Sequence, residues 1–268
     1  MKFKYFLLFF ICFSSFLTGY QRRLYVGYEF DYEDLKHPPL SYAKLHEYGM
    51  ENGFMLGYER ISCNWFYFKL EGQRKLAKQN EKNTSTAQSS KSRESSNNYE
   101  LLLGFSGYLP RLFYFIPYIG VGYNNLDKHF EEDIGLEYKK LHYRYLYFPY
   151  GATLYIPMKI IDLAFNLKIS TLIVSKIDVY LTDTFYHSEI FRGTQKPTFN
   201  FKNSCQYEVS ASLFYKLKRN LDIAFIPYYK DKNLKKGNKI KYFDNQVIYG
   251  PESDGYEVGM KIQLGLRF

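Results

Sequence analysis

The chain's last thirteen residues alternate without a break. Tyr256, Val258, Met260, Ile262, Leu264, Leu266 and Phe268 fall on one side; Glu257, Gly259, Lys261, Gln263, Gly265 and Arg267 fall on the other. A strand sends successive side chains to opposite faces, so a period of two predicts a strand with one apolar and one polar face. The same period recurs upstream. Leu24, Val26, Tyr28, Phe30 and Tyr32 oppose Gly27, Glu29 and Asp31; Phe54, Leu56 and Tyr58 oppose Gly53, Met55, Gly57 and Glu59; Phe66, Phe68 and Leu70 oppose Tyr67, Lys69 and Glu71. Similar runs fall at 100–106, 113–123, 142–147, 162–169, 206–215 and 221–228, making about ten strands, with eight as the alternative. The second face is glycine, serine and mixed charge, which suits a crowded polar lumen more than solvent.

The connections alternate in length. Short ones lie near 62–64, 109–112, 156–160 and 216–220; long ones near 33–47, 73–98, 124–140, 175–204 and 230–254. Short turns at one end and long loops at the other, joining an even number of strands, is the pattern of a bacterial outer-membrane barrel. The predicted fold is all-β: a closed antiparallel transmembrane barrel with long extracellular loops. The segment 73–98 is rich in Ser, Asn, Gln and Lys, has little to bury, and is expected to be a mobile outer loop.

Residues 1–19 read as an export signal. Lys2 and Lys4 give the positive start, residues 6–13 the apolar core, and Ser14, Ser15 and Gly19 the cleavage region. That apolar run is too short to span a bilayer as a helix, which takes roughly 20 residues. Residues 20–268 form the barrel domain, and the expected location is the cell outer membrane. Cys12 lacks a lipobox context. Cys63 and Cys205 remain, placed by this topology at opposite ends of the barrel and so expected as two free thiols.

Composition refines this picture. Aromatic residues make up 20% of the chain, with 29 Tyr and 24 Phe; tyrosine joins an apolar ring to a wet hydroxyl and suits membrane boundaries. The net charge is +9. Basicity of this order often signals nucleic acid, but no motif for it occurs, and the surplus lies between strands, where it meets lipid phosphates. The expected partners are outer-membrane lipid and lipopolysaccharide, the barrel-assembly machinery and a host or surface ligand, with no nucleic acid. No cofactor or metal spacing is present. The inward charges Glu29, Asp31, Glu59, Lys69, Glu71, Glu100, Arg144, Lys168, Glu208, Lys261 and Arg267 are expected to pair across the lumen.

Two segments carry a family resemblance. Pro117-Tyr118-Ile119-Gly120-Val121-Gly122-Tyr123 resembles the proline–aromatic–x–Gly–x–Gly strand of small outer-membrane barrels of the OmpA-like and opacity-protein type. The C-terminus is similar to the signal read by the barrel-assembly machinery: Lys261, Leu266 and Phe268 match it, while Gln263 stands where glycine is usual. The Tyr- and Lys-rich composition resembles the small outer-membrane proteins of Helicobacter and Campylobacter relatives. The expected function is that of an integral outer-membrane barrel displaying basic extracellular loops, in a structural or surface-interaction (adhesin-like) role, with a narrow small-solute channel as the alternative.

A rim enzyme, protease or lipid hydrolase, is a further alternative, since some barrels are hydrolases. Their chemistry needs a nucleophile or activated water beside an oriented histidine. Asp183 and His187, four apart in one outer loop, are the catalytic candidates. The Asp-x-His spacing of the ten-stranded omptin proteases is absent, and His187 with Ser188 lacks the His-x-Ser spacing of a lipid A deacylase. The expectation is no enzyme. A soluble barrel binding an apolar ligand is the remaining alternative.

Overall fold

Alternation becomes strand along the described chain. The structure is a computed structural model and describes residues 21–37, 45–62, 66–83, 89–109, 113–131, 138–181, 198–201, 204–235, 239–241, 247–249 and 253–268. Ten long strands build the wall: β1 (Gln21–His37), β2 (Leu45–Ile61), β3 (Tyr67–Asn83), β4 (Ser89–Gly104), β6 (Phe113–Phe130), β7 (Tyr138–Ile156), β8 (Ile161–Leu181), β10 (Cys205–Lys218), β11 (Leu221–Leu234) and β14 (Ser253–Arg267). The short β5 (Gly107–Leu109) pairs with β6, β9 (Thr198–Phe201) extends β8, and β12 (Lys239–Lys241) pairs with β13 (Val247–Tyr249).

Each long strand pairs antiparallel with its neighbour, and the ring closes between the first and last. Gly27 of β1 lies opposite Met55 of β2 on one side and Gln263 of β14 on the other. Closure leaves no open edge, which a strand-built membrane protein requires.

The two faces differ as the sequence predicts. Phe54 is 72% exposed, while its neighbour Met55 is 4% exposed. Leu24, Val26, Leu70, Ile119, Phe165, Val209 and Leu264 share the outward face. A soluble barrel binding an apolar ligand would carry these side chains inward; a belt of them around the outside belongs in lipid. On β1 the belt runs from Leu24 to Tyr32 and then gives way to Asp34 and Lys36, matching the roughly 9–11 residues a tilted strand needs to cross.

Three expectations change. The described residues of 73–98 are strand and not loop: β3 runs to Asn83 and β4 begins at Ser89, paired residue for residue from Tyr67↔Gly104 to Lys82↔Ser89. Its inner side chains Gln79, Glu81, Ser90, Ser92 and Glu94 are buried. A lack of apolar residues does not prevent order here, because the ladder satisfies the backbone and the lumen supplies charged partners. The other predicted long loops likewise shorten, as β1, β6, β8 and β11 run on past the belt. Arg144 does not face the lumen. Tyr143, Tyr145 and Tyr147 line the inner cavity, so Arg144 projects outward and pairs with Asp178 at 2.8 Å. The extended β8 carries an irregularity against β7 between Leu146 and Tyr147. Ile173 and Val174 are both exposed there, and Ser175, Ile177 and Val179 then take the inward phase.

Candidate functional site

The lumen gathers the chain's chemistry, in layers from the short-turn end outward. At the mouth, Arg23 donates through Nε to Asp222 Oδ1 at 2.9 Å and through Nη1 to Gln263 Oε1 at 2.7 Å. Arg267 bridges Asp222 Oδ2 at 2.5 Å and Asp162 Oδ2 at 2.7 Å. Tyr155 and Lys216 also hold Asp162, at 2.7 and 2.6 Å. Above this lock lies a hydrophobic layer that includes Ile61, Tyr67, Leu102, Tyr114, Ile116, Tyr118 and Phe214, contributed by β2, β3, β4, β6 and β10. Apolar side chains filling the cross-section are expected of a narrow barrel.

Polar layers follow. Tyr25 donates to Glu71 at 2.5 Å, and Lys69 meets the same carboxylate at 3.1 Å. Lys168 lies between Glu100 at 3.3 Å and Glu208 at 3.1 Å. Further out, Lys75 Nζ reaches Glu29 and Asp31 at 2.8 Å each and Glu257 at 2.7 Å. The Tyr228 hydroxyl joins the same acids, at 2.5, 3.1 and 2.6 Å. Outermost, Lys128 contacts Glu47, Glu81 at 2.5 Å and Glu94 at 3.1 Å, and Gln79 donates to Glu33 at 2.7 Å.

Glycines opposite the lumen tyrosines make room for them. A Cβ at Gly122 would fall on the Tyr147 ring, and one at Gly57 on the Tyr25 ring. The Gly120-x-Gly122 motif thus includes the seat of an inward aromatic.

Two acid groups, Glu29 with Asp31 and Glu257, and Glu33 with Glu51 and Glu94, bring their oxygens close enough to hold a metal ion. In the first, Lys75 takes the cation's place. In the second, Gln79 donates to Glu33 and Glu51, Lys232 pairs with Glu33, and Lys128 with Glu94. Cavities of about 160 and 90 Å³ lie within the described lumen, both below the ~300–1,000 Å³ of ordinary ligand pockets. A wider, more open one of about 600 Å³ lies at the short-turn mouth beside Asp162 and Arg267.

Of the predicted inward charges, Glu29, Asp31, Glu59, Lys69, Glu71, Glu100, Lys168, Glu208 and Lys261 line these cavities or their hubs, and Arg267 sits in the lock. Sequence reasoning missed Arg23, Glu33, Glu47, Lys75, Lys128, Asp162, Asp222, Tyr228 and Glu257 as partners. Continuing the Lys69–Glu71 phase along β3 would have reached Lys75. Asp183, His187 and Cys63 lie outside the described residues; Cys205 carries a free thiol. Lys261 and Leu266 lie on β14, the first inward and the second outward, and Phe268 follows with its N–H on the Arg22 carbonyl at 3.1 Å.

No family model and no curated protein matches the chain. The outer membrane protease OmpT from Escherichia coli has the same architecture, with a TM-score of 0.61 at 9% identity, covering 94% of this chain and 98% of that one. The chain has the fold of a bacterial outer-membrane β-barrel. This outer-membrane barrel also aligns with the transport unit of the autotransporter AIDA-I from Escherichia coli (TM-score 0.47, 10% identity, 94% and 91% covered) and with OprG from Pseudomonas aeruginosa (0.42, 13%, 94% and 97%). At such identities the likeness is one of fold, and activity is read from the site.

This barrel has two Asp–His couples among its described residues: His46 Nε2 to Asp34 Oδ1 and His142 Nδ1 to Asp127 Oδ1, both at 3.0 Å. All four residues take the outward phase of their strands, above the apolar belt. Neither couple is hydrogen-bonded to a serine, threonine or cysteine among the described residues.

Proposed function

We propose that this barrel is a closed, non-conducting outer-membrane protein that displays its basic outer segments, in a structural or surface-interaction role. One observation carries the reading. The hydrophobic layer around Ile116 and Tyr118 and the Arg23–Asp222–Arg267–Asp162 lock crowd the lumen toward the short-turn end, leaving a cavity of about 90 Å³ within the layer. A solute path would have to displace both, and buried pairs broken on one side cost several kcal/mol each. The outward placement of both Asp–His couples supports a non-enzymatic role, because a catalytic histidine needs a nucleophile or positioned water in a shielded cleft. The test is single-channel recording of the purified barrel in a planar bilayer. Silence supports the reading. Reproducible ohmic steps that grow when Arg23 and Arg267 are both changed to alanine would establish the channel instead.

A further inference from the structure

Inside the barrel each cation of the hubs is answered: Lys69, Lys75, Lys128, Lys168 and Lys232 all meet carboxylates. The outer wall of β3 and β4 is arranged differently. Arg74, Lys78 and Lys82 on β3 and Lys91 and Arg93 on β4 are exposed, alternating with the buried Ala77, Gln79, Glu81, Ser92 and Glu94. The register sets Lys78 directly opposite Arg93, and Arg93 in turn opposite His129 of β6. Like charges directly opposite on one sheet face weaken the pairing. Among the described residues Glu131 answers Arg93, and no ion pair reaches Arg74, Lys78, Lys82 or Lys91.

This patch stands at the upper edge of the apolar belt, with Leu70 and Leu76 on β3 and Tyr99 and Leu103 on β4 exposed beside and below it. A matching ligand is polyanionic where it meets the cations and apolar where it meets the belt. Lys78 and Lys82 are ~13 Å apart along the strand, and neighbouring strands are ~5 Å apart. That spread suits a head group with more than one phosphate better than a single phosphodiester. We propose that the outer wall of β3 and β4 is a binding site for a phosphorylated, multiply acylated glycolipid of the outer leaflet, with Lys78, Lys91 and Arg93 holding its phosphates. A soluble polyanion satisfies the charges and leaves the belt bare; lipid of this kind satisfies both.

The test uses purified full-length barrel in non-ionic detergent. It is titrated with lipopolysaccharide and, separately, with dioleoyl phosphatidylglycerol, with binding read by native mass spectrometry. The triple variant Lys78→Gln, Lys91→Gln, Arg93→Gln is compared with Lys159→Gln, Lys218→Gln, Arg219→Gln, which removes the same charge from exposed positions at the opposite rim. Lipopolysaccharide binding is expected to weaken on the order of 100-fold in the first and by less than about threefold in the second. If the triple variant does not fold, Lys78→Gln and Lys91→Gln singly are each expected to weaken binding about fivefold. Unchanged binding in the patch variants, an equal loss in the rim control, or equally tight binding of phosphatidylglycerol would overturn the proposal.

Discussion

Replacing Lys75 with methionine removes the cation on which carboxylates of three strands converge. Its ammonium lies 2.7–2.8 Å from Glu29, Asp31 and Glu257 and 3.5 Å from Glu51, and those side chains are at most 8% exposed. Tyr228 has one proton to share among three of the acids and cannot replace it. Breaking a buried pair by removing one partner costs about 3–5 kcal/mol; here Lys232 still answers Glu257 and Lys261 lies 3.9 Å from Glu29, but Asp31 keeps no ion-pair partner among the described residues. Methionine keeps most of the side-chain volume, so packing contributes little. A loss of about 4 kcal/mol lowers a urea midpoint by about 2 M when the slope is about 2 kcal/mol/M. Unfolding would be followed in detergent by loss of heat-modifiable migration. Lys216→Met is the control: its partner Asp162 keeps Tyr155 and Arg267, so the expected cost is about 1 kcal/mol or less. If Lys75→Met costs no more than Lys216→Met, the hub does not hold the barrel together and this reasoning fails.

Other outcomes follow from single features. Gly122→Ile forces the Tyr147 ring from its seat and should cost about 1–3 kcal/mol in the same assay, with most of the loss recovered by adding Tyr147→Ala; no recovery would point to another cause. Cys205 opens β10 at the end opposite the short turn between β10 and β11, so in a Cys63→Ser background an impermeant maleimide should label it on intact cells. Labelling that needs a permeabilised outer membrane would reverse the strand directions. Phe268 is 63% exposed and packs loosely near Tyr58. Phe268→Ala should therefore leave refolding in detergent unchanged while lowering the amount of assembled barrel in cells; equal loss in both would make its role one of packing.

The sequence made the membrane belt legible and hid much of the lumen, for a physical reason. Within the belt, lipid on one side and ions on the other give successive residues opposite polarity, and Leu24–Tyr32 or Tyr256–Phe268 can be read directly. Above the belt both sides are wet. Gln79 and Asn80 then look alike in sequence although one is buried and the other exposed, so β3 and β4 continue unnoticed through the polar stretch 73–98. Tyr143, Tyr145 and Tyr147 misled in the other direction. Their rings suggest lipid, but their place is the lumen, where the Tyr147 hydroxyl finds Asn98 at 2.8 Å. The Lys75 and Lys128 hubs were hidden because their acids come from strands far apart in the chain, and spacing within one segment carries no trace of them.

The seam between β1 and β14 has a kinetic consequence. Glu29, Asp31 and Glu33 belong to the first strand, while Asp222, Tyr228, Lys232 and Glu257, which tie them and Arg23 into the interior, arrive some 200 residues later. Until the ring closes, Glu29 and Asp31 have Lys75 of β3 to answer them, but Glu33 lacks Lys232 and Arg23 lacks Asp222 and Gln263. Non-local contacts of this kind reward the chain late, after the cost of bringing its ends together. An intermediate missing its last strand already holds the Lys128 hub and the Lys168 pairs, and closure then adds Arg23–Asp222, Lys232–Glu33 and Lys75–Glu257 together, in one step.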